Sequence, residues 1–250
     1  PIVIAPAMDA NMYDNPVTQE NIRKLKDRQF VFVGPAYGHL ASGLTGPGRL
    51  VENEEILDIM GQVLGRNGDL AGQKIVVTAG GTQEPLDPVR FISNNSSGKM
   101  GYAIAEAARD RGAQVSLISG PASLGKPSGM EFISIKTAGE MMQAVKKTVS
   151  HSQVLIMAAA VADFTPAQVS PEKIKKESGE LVLKLGRTED ILSSVKGDFI
   201  RVGFAAESEN LEEEALRKLR SKNLDLIVAN DITSPNSGFG VDTNQVIIID

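Results

Sequence analysis

Short runs rich in β-branched and apolar residues alternate along this chain with amphipathic stretches. The runs Ile75–Thr78, Gln114–Ser119, Glu131–Ile135, Val154–Ala159, Ile200–Ala205, Leu224–Ala229 and Val246–Ile249 predict buried strands. Between them a helical period predicts helices over Met100–Arg111, Ala138–Val149, Glu189–Lys196 and Leu211–Lys222. In the first, Ile104, Ala105 and Ala108 make the apolar face, and Glu106, Arg109 and Asp110 look outward. The last opens on Glu212–Glu214 and closes on Lys218, Arg220 and Lys222, the order a helix dipole favours. This alternation predicts an α/β fold with a doubly wound, mostly parallel Rossmann-like sheet.

Arg66–Gly72 carries two glycines and an Asn-Gly turn signal just before the Ile75 strand, and is read as a domain boundary. Residues 1–66 then form one segment and 67–250 a second domain. Pro1–Gly65 reads as strand, loop, helix, strand, glycine-rich loop and helix, too little to bury a core unaided. Both ends of the chain fall in apolar strands, so the sequence reads as a piece of a longer protein.

Composition narrows the function classes. The formal net charge is −5 and aromatics make up 4% with no Trp, which argues against nucleic acid as a partner. There is no cysteine, which removes disulfides and thiolate chemistry from this stretch and fits a cytoplasmic location. No apolar run approaches the roughly 20 residues of a membrane span. His39 and His151 stand apart with no ligand spacing, so they read as structural or surface residues, and no metal ligands are assigned.

Two stretches carry candidate chemistry. From Val77 to Gly101 a strand runs into a long loop, Gly80-Gly81-Thr82 to Ser93-Asn94-Asn95-Ser96-Ser97-Gly98-Lys99, that opens a helix. Backbone amides at a helix start favour an anion. The residues alone leave two readings open, a phosphate site or a capped helix after a surface loop. Neither common nucleotide fingerprint is present: Met100 follows Gly98-Lys99 where a P-loop needs Ser or Thr, and Gly80-Gly81-Thr82 does not continue as G-x-G-x-x-G. The second stretch, Met157-Ala158-Ala159-Ala160-Val161-Ala162-Asp163-Phe164, has small residues at a strand's carboxyl end, where parallel sheets bind flat ligands. Asp163 reads as a base or ribose acceptor or as a turn cap; Lys173, in Lys173-Ile174-Lys175-Lys176, reads as a phosphate partner or as solvated surface. Thr188 reads as the cap of a helix whose first turn holds Glu189 and Asp190. Phe204, in Gly203-Phe204-Ala205-Ala206-Glu207, reads as core or as a base-stacking residue.

Together with Asn230-Asp231, these strings closely resemble the ligase half of the bacterial bifunctional phosphopantothenoylcysteine decarboxylase/phosphopantothenate–cysteine ligase family, over nearly all of Asp69–Asp250. Pro6-Ala7-Met8-Asp9-Ala10-Asn11-Met12-Tyr13 and Ala41–Leu50 resemble the last part of that family's flavin-dependent decarboxylase half. Asp9 replaces the family's usual Asn, and Ser42 stands at the position of the loop's Cys acid. The resemblance therefore implies a partial flavoprotein-like α/β segment at 1–66, with FMN expected only in an upstream part and no decarboxylation by this stretch alone.

For residues 67–250 the resemblance implies CTP-dependent joining of 4′-phosphopantothenate to cysteine through an acyl-cytidylate, with Mg²⁺. Asn94 would support the acyl-cytidylate, and Arg90, Ser96, Ser97, Gly98 and Lys99 would place phosphopantothenate. Met157, Ala158, Ala159, Asp163 and Phe204 would line the nucleotide. Lys173 would sit on the nucleotide's phosphates, assisted by Glu189, Asp190, Ile191 and Leu192 around the ligand and by Lys218 and Lys222. It also implies a homodimer with residues crossing between subunits, and a larger oligomer in a full-length protein. Two rivals stand beside it: a nucleotide-binding module without catalysis, and an NAD-linked oxidoreductase on the same fold, which would want G-x-G-x-x-G after its first strand.

Overall fold

In a computed structural model of the chain, residues 1–175, 181–207, 210–231 and 243–250 are described. The chain divides into two compact units, Pro1–Ala71 with Asp110–Gly112, and Gly72–Arg109 with Ala113–Asp250.

In the first unit, β1 (Val3–Ile4) pairs in parallel with β2 (Val31–Phe32), and α1 (Ala10–Tyr13) and α2 (Pro16–Asp27) lie between them in sequence. Asp9 caps α1 by accepting from the Asn11 N–H, and Asn15 caps α2 with Pro16 in its first turn. The glycine-rich stretch read as a loop is instead a hairpin of β3 (Ala36–His39) and β4 (Thr45–Arg49), followed by α3 (Asn53–Gly65). Gly48 permits it: its φ is +142°, and a Cβ there would sit 2.1 Å from the Met8 carbonyl oxygen. Ser42 lies in the hairpin's turn and hydrogen-bonds Asp9, which with the Asn11 N–H holds that carboxyl below its ordinary value.

The second unit is built on a seven-stranded sheet. Its strands are β5 (Lys74–Ala79), β8 (Gln114–Ser119), β9 (Glu131–Ser134), β10 (Val154–Met157), β13 (Ile200–Glu207), β14 (Leu226–Asp231) and β15 (Val246–Ile249), in the order β15-β14-β13-β10-β5-β8-β9. Only the outer β14–β15 pairing is antiparallel. Central strands read as continuous apolar runs because both faces are covered: Val76, Val77, Leu117, Ile118 and Leu155 are fully buried. Two antiparallel hairpins, β6 (Gln83–Pro85) with β7 (Phe91–Ser93) and β11 (Phe164–Pro166) with β12 (Leu185–Arg187), stand outside this sheet. The stretch expected as a long loop after β5 thus holds a hairpin of its own.

Among the described residues four helices complete the unit: α4 (Lys99–Arg109), α5 (Ala138–Val149), α6 (Ile191–Ser194) and α7 (Leu211–Ser221). A capping box of Thr137 and Glu140 starts α5, whose Met141, Met142 and Val145 enter the core with Val76, Ile118 and Leu155. On α7, Ala215 packs with Ile227 and Ala229. Two expectations are corrected. Arg109 is buried rather than outward, because its long stem carries the guanidinium to the Ser128 carbonyl at 2.8 Å. The helix expected over Glu189–Lys196 is the single turn α6, capped by Asp190 rather than Thr188, since the Thr188 hydroxyl is drawn to the Ala162 carbonyl at 2.6 Å. Among the described residues no helix is long and apolar enough to cross a membrane.

Candidate active site

From β5 the chain runs outward to β8 and β9, then returns to the other side of β5 as β10 and continues to β13 and β14. Neighbouring strands whose continuations diverge leave a crevice at their carboxyl ends. A cavity of about 1120 Å³ lies there, lined by Ser93–Ala103, Met157–Asp163, Thr188–Leu192 and Phe204 among others.

Glycines and threonines shape its floor. Gly80, with φ +74°, ends β5 against Gly120, whose carbonyl oxygen would lie 2.9 Å from a Cβ. The hydroxyls of Thr78 and Thr82, both fully buried, accept the N–H groups of Ala159 (3.1 Å) and Ala162 (3.0 Å). These bonds pin the small-residue run after β10 and keep two backbone donors satisfied. Thr82→Val keeps the shape but orphans the Ala162 N–H. It is expected to cost roughly 1–2 kcal/mol of stability, read from the denaturant midpoint; an unchanged midpoint would contradict this reading of the floor.

The opposite wall is the Ser93–Lys99 loop. Ser93 donates to the Thr82 carbonyl at 2.8 Å, and the Asn94 side-chain amide donates to the Val161 carbonyl at 3.1 Å, fixing Asn94 on the cavity edge. Gly98, at φ +80°, turns the chain into α4, whose first residues share the wall. Tyr102 reaches Ser119 with its hydroxyl at 3.1 Å, and Ser119 donates on to the Gly120 carbonyl, so Tyr102 is the donor of the pair.

Charges of both signs line the third side. Lys222 pairs with Asp190 at 3.0 Å, and Lys146, from α5, pairs with Glu189 at 3.5 Å. Burial opposes the Asp190 charge, but hydrogen bonds from Lys222 and the Ser193 N–H outweigh it and hold its carboxyl below the ordinary value. A hydrogen bond from Ser194, with the charge of Lys146, does the same for Glu189. Lys218 stands on the wall one helical turn before Lys222.

The structure thus gathers Asn94, Ser96, Ser97, Gly98, Lys99, Met157, Ala158, Ala159, Asp163, Glu189, Asp190, Ile191, Leu192, Phe204, Lys218 and Lys222 around one cavity. It does not place Arg90 or Lys173 on that wall. Arg90 pairs with Asp87 at 2.9 Å and Lys173 is exposed on the 170–175 segment; Lys176 lies outside the described residues. Sequence reasoning quoted Asn95 and Asn230 in its motifs without giving them a role, and passed over Tyr102, Glu106, Leu124, Gly125, Thr243 and Asn244, all of which share the lining. Asn230 at the end of β14 and Leu124 after β8 were findable from the rule that ligands sit at strand carboxyl ends. No such signal marks Thr243 or Asn244. Among the described residues no three His, Asp or Glu side chains converge as a metal site.

Fold and cavity define a mostly parallel α/β domain with a polar crevice at its strand carboxyl ends, the place where such sheets bind ligands. The chain belongs to the family described as DNA/pantothenate metabolism flavoprotein C-terminal domain, whose model matches residues 70–250, while a flavoprotein model matches residues 1–65. It is 48% identical over 254 residues to the coenzyme A biosynthesis bifunctional protein CoaBC of Bacillus subtilis (strain 168), covering 99% of this chain and 63% of that protein. The chain therefore spans less than two thirds of that relative. It is also 44% identical to a cysteine/cysteine sulfinic acid decarboxylase of an unknown prokaryotic organism, over 100% of this chain and 72% of that protein. Among solved structures, the C-terminal domain of a CoaBC protein is similar at 42% identity with a TM-score of 0.59, over 72% of this chain and 87% of that one. The two family models leave residues 66–69 between them, and the compact units divide after Ala71, so the split read after Arg66 is in part displaced.

Proposed function

We propose that the chain carries a CTP-dependent phosphopantothenate–cysteine ligase of coenzyme A biosynthesis, acting in the cytoplasm. Residues 1–66 would be the remnant of a flavin-dependent decarboxylase domain and 67–250 the ligase. The observation that carries the reading is the convergence of Asn94, the start of α4, Asp163, Phe204 and Lys218 on one crevice at the divergence of β5 and β10. A carboxylate oxygen of phosphopantothenate attacks the α-phosphorus of CTP, the bond to the pyrophosphate oxygen breaks, and pyrophosphate leaves. The cysteine amine then attacks the acyl carbon, the bond to CMP breaks, and the amine gives up a proton as the amide forms.

The protein's work is to hold two anions side by side and offset their repulsion. The amides of Ser97 and Gly98 and the N-terminus of α4 receive one anion together with Ser96, while the Lys99 N–H is directed at the Ser97 hydroxyl. Met157–Ala159 let a flat base approach the backbone, Phe204 packs on it, and Asp163 accepts from base or ribose. Lys218 and Lys222 face the phosphates. Mg²⁺, when bound, offsets phosphate charge; the side chains present suit an ion held chiefly by the triphosphate and water. Right-handed crossovers would set α4 on one face of the sheet and α5 and α7 on the other, which is the doubly wound arrangement. The ligase would act as a homodimer in which residues cross between subunits, and Lys173, though off this wall, would contribute its charge to the phosphates.

The NAD-linked rival fits less well. Gly81 bridges to Ala160 and the Thr82 N–H binds the Ala160 carbonyl, so no helix start follows β5 directly to cradle a dinucleotide pyrophosphate. The test is pyrophosphate release with each of the four ribonucleoside triphosphates, with and without phosphopantothenate, cysteine and Mg²⁺. Release is expected with CTP and only with phosphopantothenate present; equal release with all four would overturn the base assignment. Residues 1–65 are further expected to hold no flavin, since their paired strands are a two-residue parallel pair and one hairpin. Absorbance at flavin wavelengths of the purified chain checks this, and a stoichiometric chromophore would refute it.

A further inference from the structure

Asp87 sits at the tip of the β6–β7 hairpin with no side-chain surface exposed. A buried carboxylate is costly unless its oxygens are satisfied. One oxygen accepts the Val89 and Arg90 N–H groups, both at 2.8 Å, within its own turn. The other accepts the Ile174 N–H at 3.1 Å, from a segment 87 residues further along the chain, and pairs with the Arg90 guanidinium at 2.9 Å. Arg90 uses the same nitrogen to donate to the Ile174 carbonyl. At the segment's other end the Ser170 N–H donates to the Leu86 carbonyl at 2.9 Å, and the Ser170 hydroxyl closes a turn on the Glu172 carbonyl. The four residues up to Lys173 are thus fastened at both ends to one hairpin tip. The other end of that hairpin, through Ser93, leads straight to Asn94 on the cavity edge.

We infer that Asp87 is a positioning residue: by holding Ile174 it fixes Lys173 relative to the hairpin that carries Asn94, and acts on the ligase reaction through Lys173. This rests on the ligase reading proposed above. The burial asymmetry supports it, because a group needed only for the hairpin's own turn would not need its second oxygen on a distant backbone amide. The Asp87 carboxyl is held below its ordinary value; burial opposes the charge, and the Val89, Ile174 and Arg90 amides outweigh it.

Asp87→Asn keeps one acceptor oxygen for the turn but sets an amide N–H against the Ile174 N–H. Ile174→Pro removes the same donor while leaving Asp87 and its turn intact, and serves if the first variant does not fold. Two readouts are needed. Backbone hydrogen exchange in the intact chain should rise at least tenfold in the segment around Ile174 and stay unchanged in β5 and β10. CTP-dependent pyrophosphate release should fall about tenfold or more in either variant, yet by less than twofold when the change is added to Lys173→Gln. A merely structural role would give losses that multiply in that double variant. Unchanged exchange around Ile174 overturns the clasp. Raised exchange with undiminished release, or multiplying losses, overturns the positioning role. If the unaltered chain releases no pyrophosphate with any triphosphate, the ligase reading falls and takes the link to catalysis with it. The exchange result then still accepts or rejects the clasp by itself.

Discussion

Asn94→Ala is expected to slow acyl-cytidylate formation roughly 10²–10³-fold, a loss of about 2–4 kcal/mol if the amide acts as an oxyanion donor. CTP affinity should stay within about twofold, because Asn94 is tied to the Val161 carbonyl at the cavity edge and not to the small-residue run that receives the base. An amide suits the position: one N–H is spent on Val161, leaving a second N–H and the carbonyl oxygen for the reacting groups. Lys173→Gln should behave differently, weakening nucleotide binding and activation together, since a point charge acts on phosphates in the ground state and the transition state alike. Calorimetry for CTP affinity and single-turnover formation of CMP separate the two. If Asn94→Ala abolishes CTP binding while Lys173→Gln changes neither measurement, the roles are reversed.

Gly101→Val is expected to cost about 3 kcal/mol or more of stability and to empty the site with it. A Cβ at Gly101 would lie 2.6 Å from the Ala79 Cβ and 2.8 Å from the Thr78 carbonyl oxygen. Overpacking a tight contact commonly costs 1–3 kcal/mol, and here the colliding atoms include β5 backbone that the ladder to β8 and β10 holds still. Relief would have to come from α4 moving away from β5, which carries the Ser97–Lys99 amides off the cavity wall. Denaturant unfolding gives the stability and calorimetry the ligand affinity. A variant with unchanged midpoint and unchanged CTP affinity would show that α4 does not depend on this close approach.

The strands of the large sheet were legible because a strand covered on both faces must be apolar throughout, as in Ile75–Thr78. The hairpins were not. Gln83–Pro85 and Phe91–Ser93 are three-residue strands with no apolar alternation; the Asp87-Pro88 turn between them is a local signal, but Ser93 reaching the Thr82 carbonyl is a contact no local pattern records. Arg109 was misread for a similar reason: its partner is a carbonyl 19 residues on. Most of the cavity wall was legible, because it hangs from strand carboxyl ends and one helix start. Leu124 and Gly125 were passed over because neither side chain carries chemistry of its own, although both follow β8 at its carboxyl end. That Arg90 binds Asp87 and Ile174 instead of facing the cavity depends on a contact with a backbone carbonyl 84 positions on.

The central claim is that the carboxylate is activated by transfer of a cytidylyl group. It is tested most directly with phosphopantothenate carrying ¹⁸O in both carboxylate oxygens, incubated with the chain, CTP, Mg²⁺ and cysteine. Attack on the α-phosphorus followed by acyl C–O cleavage leaves one labelled oxygen in the amide and delivers the other to CMP. Mass spectrometry should therefore find one ¹⁸O in the phosphate of each CMP released and none in pyrophosphate. Label in orthophosphate, with CDP as the nucleotide product, would instead mean an acyl phosphate and would contradict the account.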